Sequence, residues 1–245
     1  MKEYGLIGYP LKHSFSHDYF TRIFNQENID AQYINFELED IDQLMEMIAE
    51  NPDLQGFNVT IPYKETILPF LDEISEEATR VGAVNVVRIN RINSRTLHFI
   101  GYNTDCQAFK ETLEPLKLHG KKALILGTGG ASKAVAAALD ELDILYKKVS
   151  RTPSNHEVGY DNLETIINDY YLIVNTTPVG TFPNVNESPS IPYHCLTPDH
   201  LCYDLIYNPE ITEFLRQSAA KGTYIKNGLE MLYRQANLAR LIWRI

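Results

Sequence analysis

The run Gly127-Thr128-Gly129-Gly130-Ala131-Ser132 carries the strongest chemical signal in this chain. KALIL before it reads as a buried strand, and the Ala-rich AVAAALDEL after it reads as a helix. Glycines at a strand-to-helix turn are what a dinucleotide site needs. Gly127 permits the tight turn, Gly129 lets backbone approach a pyrophosphate, and Ser132 is the small residue where a third glycine or alanine would stand. The free N–H groups and dipole of the helix start favour phosphate. A tight turn with no ligand is the plainer alternative.

The next strand bears on which nucleotide. A sheet that binds NAD carries Asp or Glu roughly 20 residues past the fingerprint, against the adenine ribose. Here that region is Val149-Ser150-Arg151-Thr152, with no acid. An arginine flanked by small hydroxyls suits a 2′-phosphate, through its fork of donors and fixed charge. NADP is favoured over NAD, against the alternative of a solvated surface arginine.

A second polar pattern lies in LQGFNVTIPYKETILPF, residues 54–70. In a strand, Val59 and Ile61 share one face and Asn58 and Thr60 the other. Pro62 ends the strand, and Tyr63-Lys64-Glu65 open what reads as a helix. Asn and Thr donate and accept without charge, as hydroxylated ligands require. Lys64 alone reads as a surface lysine. Asp105, in NTD, reads equally as the cap of the following helix.

These residues must be positioned by a chain of 245 residues, for which two domains is the expectation. Short strands alternate with helices: strands at 4–8, 31–37, 55–61, 83–89 and 95–101, and helices at 16–28 and 41–50. The second helix places Ile41, Leu44, Met45 and Ile48 on its apolar face, and RINS (91–94) reads as a hairpin turn. Beyond Lys121, strands are expected at 144–150, 170–176, 201–207 and 223–228, with a closing helix over 229–243. The loop 177–198 holds five of the twelve prolines and reads as an irregular binding or surface loop. The fold class is α/β, with parallel pairs.

Lys+Arg 22 against Asp+Glu 32 gives a net charge of −10, which provides no electrostatic footprint for nucleic acid or an anionic membrane. Three cysteines without a C-x-x-C pair argue against a disulfide framework or zinc site and suit a reducing cytoplasm. No apolar run has the length of a signal peptide core or a membrane span. His13 and His17 lack a third ligand, so no metal is expected.

Taken in order, HSFSH (13–17), NVTIPYKE (58–65), GAVNVV (82–87), GYNTD (101–105), GTGGAS, SRT, NTTPVG, YDLIYNP and NGLEMLYRQA resemble the shikimate dehydrogenase family. The resemblance runs from Ile7 to about Trp243. It implies an N-terminal α/β substrate domain, 1–103, rejoined by the C-terminal helix 229–245. A Rossmann-like, doubly wound NADP domain occupies 104–228. The implied reaction is the reversible, NADP-dependent reduction of 3-dehydroshikimate to shikimate, by a cytoplasmic monomer or homodimer. Two alternatives are a quinate/shikimate dehydrogenase using NAD or NADP, and a catalytically silent NADP-binding regulatory protein.

Carried onto matching positions, Lys64 and Asp105 are the implied catalytic pair. Ser14 and Ser16 bind the substrate carboxylate, and Tyr207 closes that end. Asn58, Thr60, Asn85, Asp105 and Gln235 hold the ring hydroxyls. Gly127, Thr128, Gly129, Gly130, Ala131, Ser150, Arg151, Thr152, Leu205 and Gly228 contact NADP. The chain departs from the family pattern at His17, Phe20 and Cys106, where proline, histidine and glycine are usual. Ser150 replaces an asparagine, and Asn155 a frequent basic residue, which implies weaker selectivity for NADP.

Overall fold

The computed structural model describes residues 1–11, 15–93, 96–154 and 156–245. They divide into two compact units, Met1–Thr104 with Ala236–Ile245, and Asp105–Gln235.

The first unit contains strands β1 (Lys2–Gly8), β2 (Ala31–Glu37), β3 (Leu54–Val59), β4 (Glu73–Ile74), β5 (Val86–Asn93) and β6 (Thr96–Tyr102). Its helices are α1 (Phe15–Gln26), α2 (Leu44–Glu50) and α3 (Glu76–Val81). The strands form one sheet in the order β2-β1-β3-β5-β6-β4. Pairing is parallel among β2, β1 and β3 and antiparallel from β3 through β5 to β6. Ile7, Phe57, Val59, Val87 and Ile89 face a core completed by Leu44, Met47 and Ile48 of α2. An aromatic layer holds Tyr4, Phe20, Phe24, Tyr33 and Trp243. Trp243 donates its indole N–H to the Val87 carbonyl at 3.0 Å, which ties the chain's C-terminal end to β5.

The second unit contains helix α4 (Asp105–Leu113), β7 (Lys122–Leu126), α5 (Gly130–Glu141), β8 (Leu145–Ser150), β9 (Glu157–Gly159), α6 (Leu163–Ile166), β10 (Leu172–Asn175), β11 (Leu201–Asp204), α7 (Glu213–Ala219) and β12 (Tyr224–Lys226). The terminal helix α8 (Leu229–Trp243) begins here, and its residues from Ala236 onward belong to the first unit. All pairs in this sheet are parallel, and the order is β12-β11-β10-β7-β8-β9. Numbered within the unit, that is 6-5-4-1-2-3, the strand order of a doubly wound dinucleotide fold. The Ala-rich face of α5 buries Ala134, Val135, Ala137, Ala138 and Leu139.

Four local expectations are corrected. No α-helix follows Pro62: residues 61–67 form turns and Leu68–Phe70 a 3₁₀ turn. Bonds from Tyr63 N to Thr60 O, Ile67 N to Tyr63 O and Leu68 N to Glu65 O mix two spacings. Pro69 supplies no N–H to continue either. β3 stops at Val59, so Ile61 is not a core partner of Val59 but is 63% exposed. On α2, Met47 is buried and Met45 exposed: at 100° per residue the two flank the Leu44–Ile48 direction equally, and the core packs on the Met47 side. Arg91–Asn93 continue β5 rather than turning; Ser94 lies outside the described residues.

Candidate functional site

In the first unit the candidate residues gather where β1 and β3 end and β5 begins. Tyr33 on β2 donates its hydroxyl to Asn58 Oδ1 at 2.7 Å, and Ser16 is hydrogen-bonded to the same phenol. Asn58 Nδ2 reaches the Asn85 carbonyl at 3.3 Å, and that carbonyl also accepts from Val59 N at 2.8 Å. Asn85 Nδ2 donates to Thr104 Oγ1 at 2.9 Å, while Thr104 N donates to Asn85 Oδ1 at 2.8 Å. Asn103 Nδ2 fastens to the Ala83 carbonyl. Asn58, Asn85, Asn103 and Thr104 are all buried, so this network fixes a polar rim at one end of the sheet.

Thr60 and Lys64 join the rim through backbone. Thr60 N donates to Ile7 O at 3.0 Å, and the Lys64 carbonyl accepts from Val84 N at 2.7 Å. The turn that carries Lys64 is therefore pinned to the segment that carries Asn85. Ser14 lies outside the described residues. Tyr33, Asn103 and Thr104 went unrecognised in the sequence. Nothing in the β2 pattern distinguishes Tyr33 from an ordinary strand aromatic.

In the second unit Asp105 opens α4 and is 7% exposed. It occupies the helix's first turn, where a carboxylate suits the dipole, rather than the capping position before it. Gln235, on α8, donates to the Leu232 carbonyl one turn back.

The glycine loop stands at the switch point of the sheet, between β7 and β10. Gly127 has φ +113°, and a Cβ there would lie 2.8 Å from Thr176 Oγ1. Both the backbone conformation and the space therefore call for glycine. Gly129 caps α5 with open space around it. The Ser132 hydroxyl is buried with no hydrogen-bond partner among the described residues. An exposed turn of small residues, free helix-start N–H groups and an unspent hydroxyl fit a dinucleotide's pyrophosphate.

Ser150 ends β8 and accepts from Thr152 N at 3.2 Å, while Arg151 and Thr152 are exposed. The Arg151 charge bears on the Tyr160 phenol, opposing the upward push of burial on its pKa. Past β11, Gly228 packs directly on the Leu205 carbonyl, leaving no room for a side chain, and its N–H bonds Ile206 O. Tyr207 follows two residues on, its phenol pKa raised by burial.

One buried acid organises the ends of β10 and β11. Asp204 Oδ1 accepts from Asn175 Nδ2 at 3.0 Å and Ile206 N at 3.1 Å, and Oδ2 from Thr212 Oγ1 at 2.6 Å. Asn175 Oδ1 in turn accepts from Thr177 N and Oγ1. Burial raises the Asp204 pKa to about 6, against the opposing effect of these donors. Asn175 and Asp204 stood in quoted motifs, NTTPVG and YDLIYNP, without a role. Glu164, His194 and Cys195 bring ligand atoms within 4.8 Å of one another, and His194 already pairs with Glu164 at 3.0 Å.

Comparison with known proteins places this architecture. Residues 6–87 match the shikimate dehydrogenase substrate binding domain. The NADP(+) shikimate dehydrogenase of Caldicellulosiruptor bescii is 38% identical over 262 residues, covering 99% of this chain and 89% of that protein. The chain belongs to the shikimate dehydrogenase family. The crystal structure of shikimate dehydrogenase 1 from Peptoclostridium difficile is 38% identical with a TM-score of 0.86, covering 100% of this chain and 92% of that one. The Thermus thermophilus shikimate 5-dehydrogenase, solved with NADP(H) and shikimate, is 31% identical with a TM-score of 0.85, covering 99% and 93%. The family's two-part α/β architecture and Rossmann-like order are thus those of this chain.

Proposed function

We propose that this chain is an NADP-dependent shikimate dehydrogenase, reducing 3-dehydroshikimate reversibly to shikimate. The observation that carries the reading is the glycine loop at the switch point of a 3-2-1-4-5-6 sheet, followed at the next strand end by Arg151 and no acid. Family membership along nearly the whole chain supports it. When bound, NADPH supplies the hydride for the carbonyl carbon.

The chain's own residues bind, orient and protonate. Asn58, Thr60, Asn85 and Gln235 are neutral groups that both donate and accept, as the ring hydroxyls require. Ser14, Ser16 and Tyr207 hold the carboxylate. Lys64 gives a proton from Nζ to the ketone oxygen as the hydride arrives, and takes it back in the reverse direction. Asp105 orients the ammonium and favours its charged form. Gly127 to Ala131 would hold the pyrophosphate of bound NADP and Ser150 to Thr152 its 2′-phosphate, and Leu205 and Gly228 would also contact the coenzyme.

The test is turnover of shikimate and quinate with NADP+ and with NAD+, followed by nicotinamide absorbance. Preference for shikimate and NADP+ supports the proposal; preference for quinate and NAD+ overturns it in favour of a quinate/shikimate enzyme. NADPH binding without turnover would make the chain a silent binder. No helix among the described residues is long and apolar enough to cross a membrane. The small-molecule reaction needs neither nucleic acid nor membrane, and we assign it to a cytoplasmic monomer or homodimer.

A further inference from the structure

A cavity of about 280 Å³ opens in the first unit at the end of the sheet opposite the polar rim. It lies beside Lys2 at the start of β1, Gln55 near the start of β3, and Arg88 and Asn90 well into the antiparallel β5. Trp243 and Arg244 close it from the C-terminal end. None of its lining residues is among those proposed to hold the substrate: Asn58 lies three residues beyond Gln55 at the far end of β3, and Asn85 lies three residues before Arg88, ahead of β5.

Its charge is anomalous. The chain is strongly acidic, at −10, yet three cationic side chains line one small cavity. None of Lys2, Arg88 and Arg244 makes an ion pair among the described residues, whereas Lys110, Arg234 and Arg240 each do. Arg88 Nε is buried without a hydrogen-bond partner, and its guanidinium has only the Tyr102 ring at 5.7 Å and a long contact of 3.5 Å from Nη1 to Ile242 O. Cationic side chains that line one cavity, none with an ion-pair partner among the described residues, favour an anion there. Two guanidinium groups, an ammonium and two side-chain amides are suitable donors for the oxygens of a phosphate or carboxylate.

We propose that this cavity is a second anion site, which takes a compact dianion or trianion of the phosphate or polycarboxylate class. It is independent of the coenzyme and substrate sites.

Trp243 lines the cavity and is the only tryptophan in the chain, so its fluorescence reports on this place alone. The experiment saturates the protein with NADP+ to occupy the coenzyme site. It then titrates inorganic pyrophosphate, and separately citrate, at constant ionic strength, against a chloride control. The expected result is a saturable change in tryptophan emission with at least one polyanion and none with chloride. Response to pyrophosphate alone assigns the phosphate class, and response to citrate alone assigns the polycarboxylates. In the double variant Lys2→Gln/Arg244→Gln, whose residues are exposed, Kd should rise about tenfold or more. Arg88→Lys, keeping charge but losing the fork, should weaken binding less than the double variant. An unchanged emission overturns the proposal. So does an equal response in wild type and double variant, or a response that chloride reproduces.

Discussion

Asn175 at the end of β10 and Asp204 at the end of β11 are joined side chain to side chain at 3.0 Å, and both are fully buried. Through this pair the NTTPVG loop and the Leu205–Ile206 segment share one anchor. The Asp204 pKa is raised from 3.8 to about 6 by burial. Between those values the folded chain holds a proton that the unfolded chain has lost. This group's contribution to stability is therefore greatest below the lower value, falls as pH rises to about 6, and is flat above. Asp204→Asn keeps two acceptor bonds at Oδ1 and removes the titration. Wild type should gain up to about 3 kcal/mol relative to the variant between pH 7 and about 4. Denaturant unfolding at several pH values checks this, and a stability difference constant with pH would sink it.

Tyr33 holds Asn58 by a 2.7 Å hydrogen bond, and its ring stacks on Phe20 at a centroid distance of 4.7 Å. Tyr33→Phe keeps the stack and deletes the hydroxyl, leaving Asn58 Oδ1 buried without that donor. A loss of about 1–3 kcal/mol in stability is expected. Because Asn58 belongs to the proposed substrate rim, KM for shikimate should also rise while KM for NADP+ stays fixed. A variant that loses stability with both KM values unchanged would make the Tyr33–Asn58 bond purely structural.

Those two pairs mark where the sequence stops being readable. The glycine run, the strand before it and the Ala-rich helix after it are local features, and each is where the pattern puts it. The terminal helix matches its expected span, Leu229–Trp243, because its apolar spacing is regular over four turns. Asn175 and Asp204 meet only because β10 and β11 are neighbours in the sheet, a fact of topology that neither motif contains. Tyr33 reaches Asn58 across β1, which lies between β2 and β3. The turn carrying Lys64 misleads for a different reason. Its composition is helical, but prolines at 62 and 69 leave too few consecutive donors for a helix to propagate.

Arg151 follows β8, where it is proposed to meet the 2′-phosphate, and it is exposed, so its replacement should leave the fold intact. Arg151→Gln removes the charge and the fork together. If that side chain holds the 2′-phosphate, kcat/KM for NADP+ should fall about tenfold or more, the worth of one charge-assisted contact. The value for NAD+ should barely move. Equal losses with both nucleotides would assign Arg151 to the shared part of the coenzyme and return selectivity to another residue.

Lys64 sits on a turn whose backbone is fixed at both sides, by Tyr63 N to Thr60 O at 2.9 Å and by Val84 N to Lys64 O at 2.7 Å. Truncating its side chain leaves both bonds in place, so Lys64→Ala should fold normally. A proton donor acts only as the carbonyl becomes an alcohol, so its loss raises the barrier without weakening ground-state binding. The expected signature is a fall in kcat of about 10² to 10⁴ with KM for shikimate changed little. A rise in KM at constant kcat would instead make Lys64 a substrate clamp and place the proton donor elsewhere. Asp105→Asn supplies the complementary measurement. If that carboxylate orients the lysine, its variant should lower kcat as well, and the double variant should be little worse than Lys64→Ala alone.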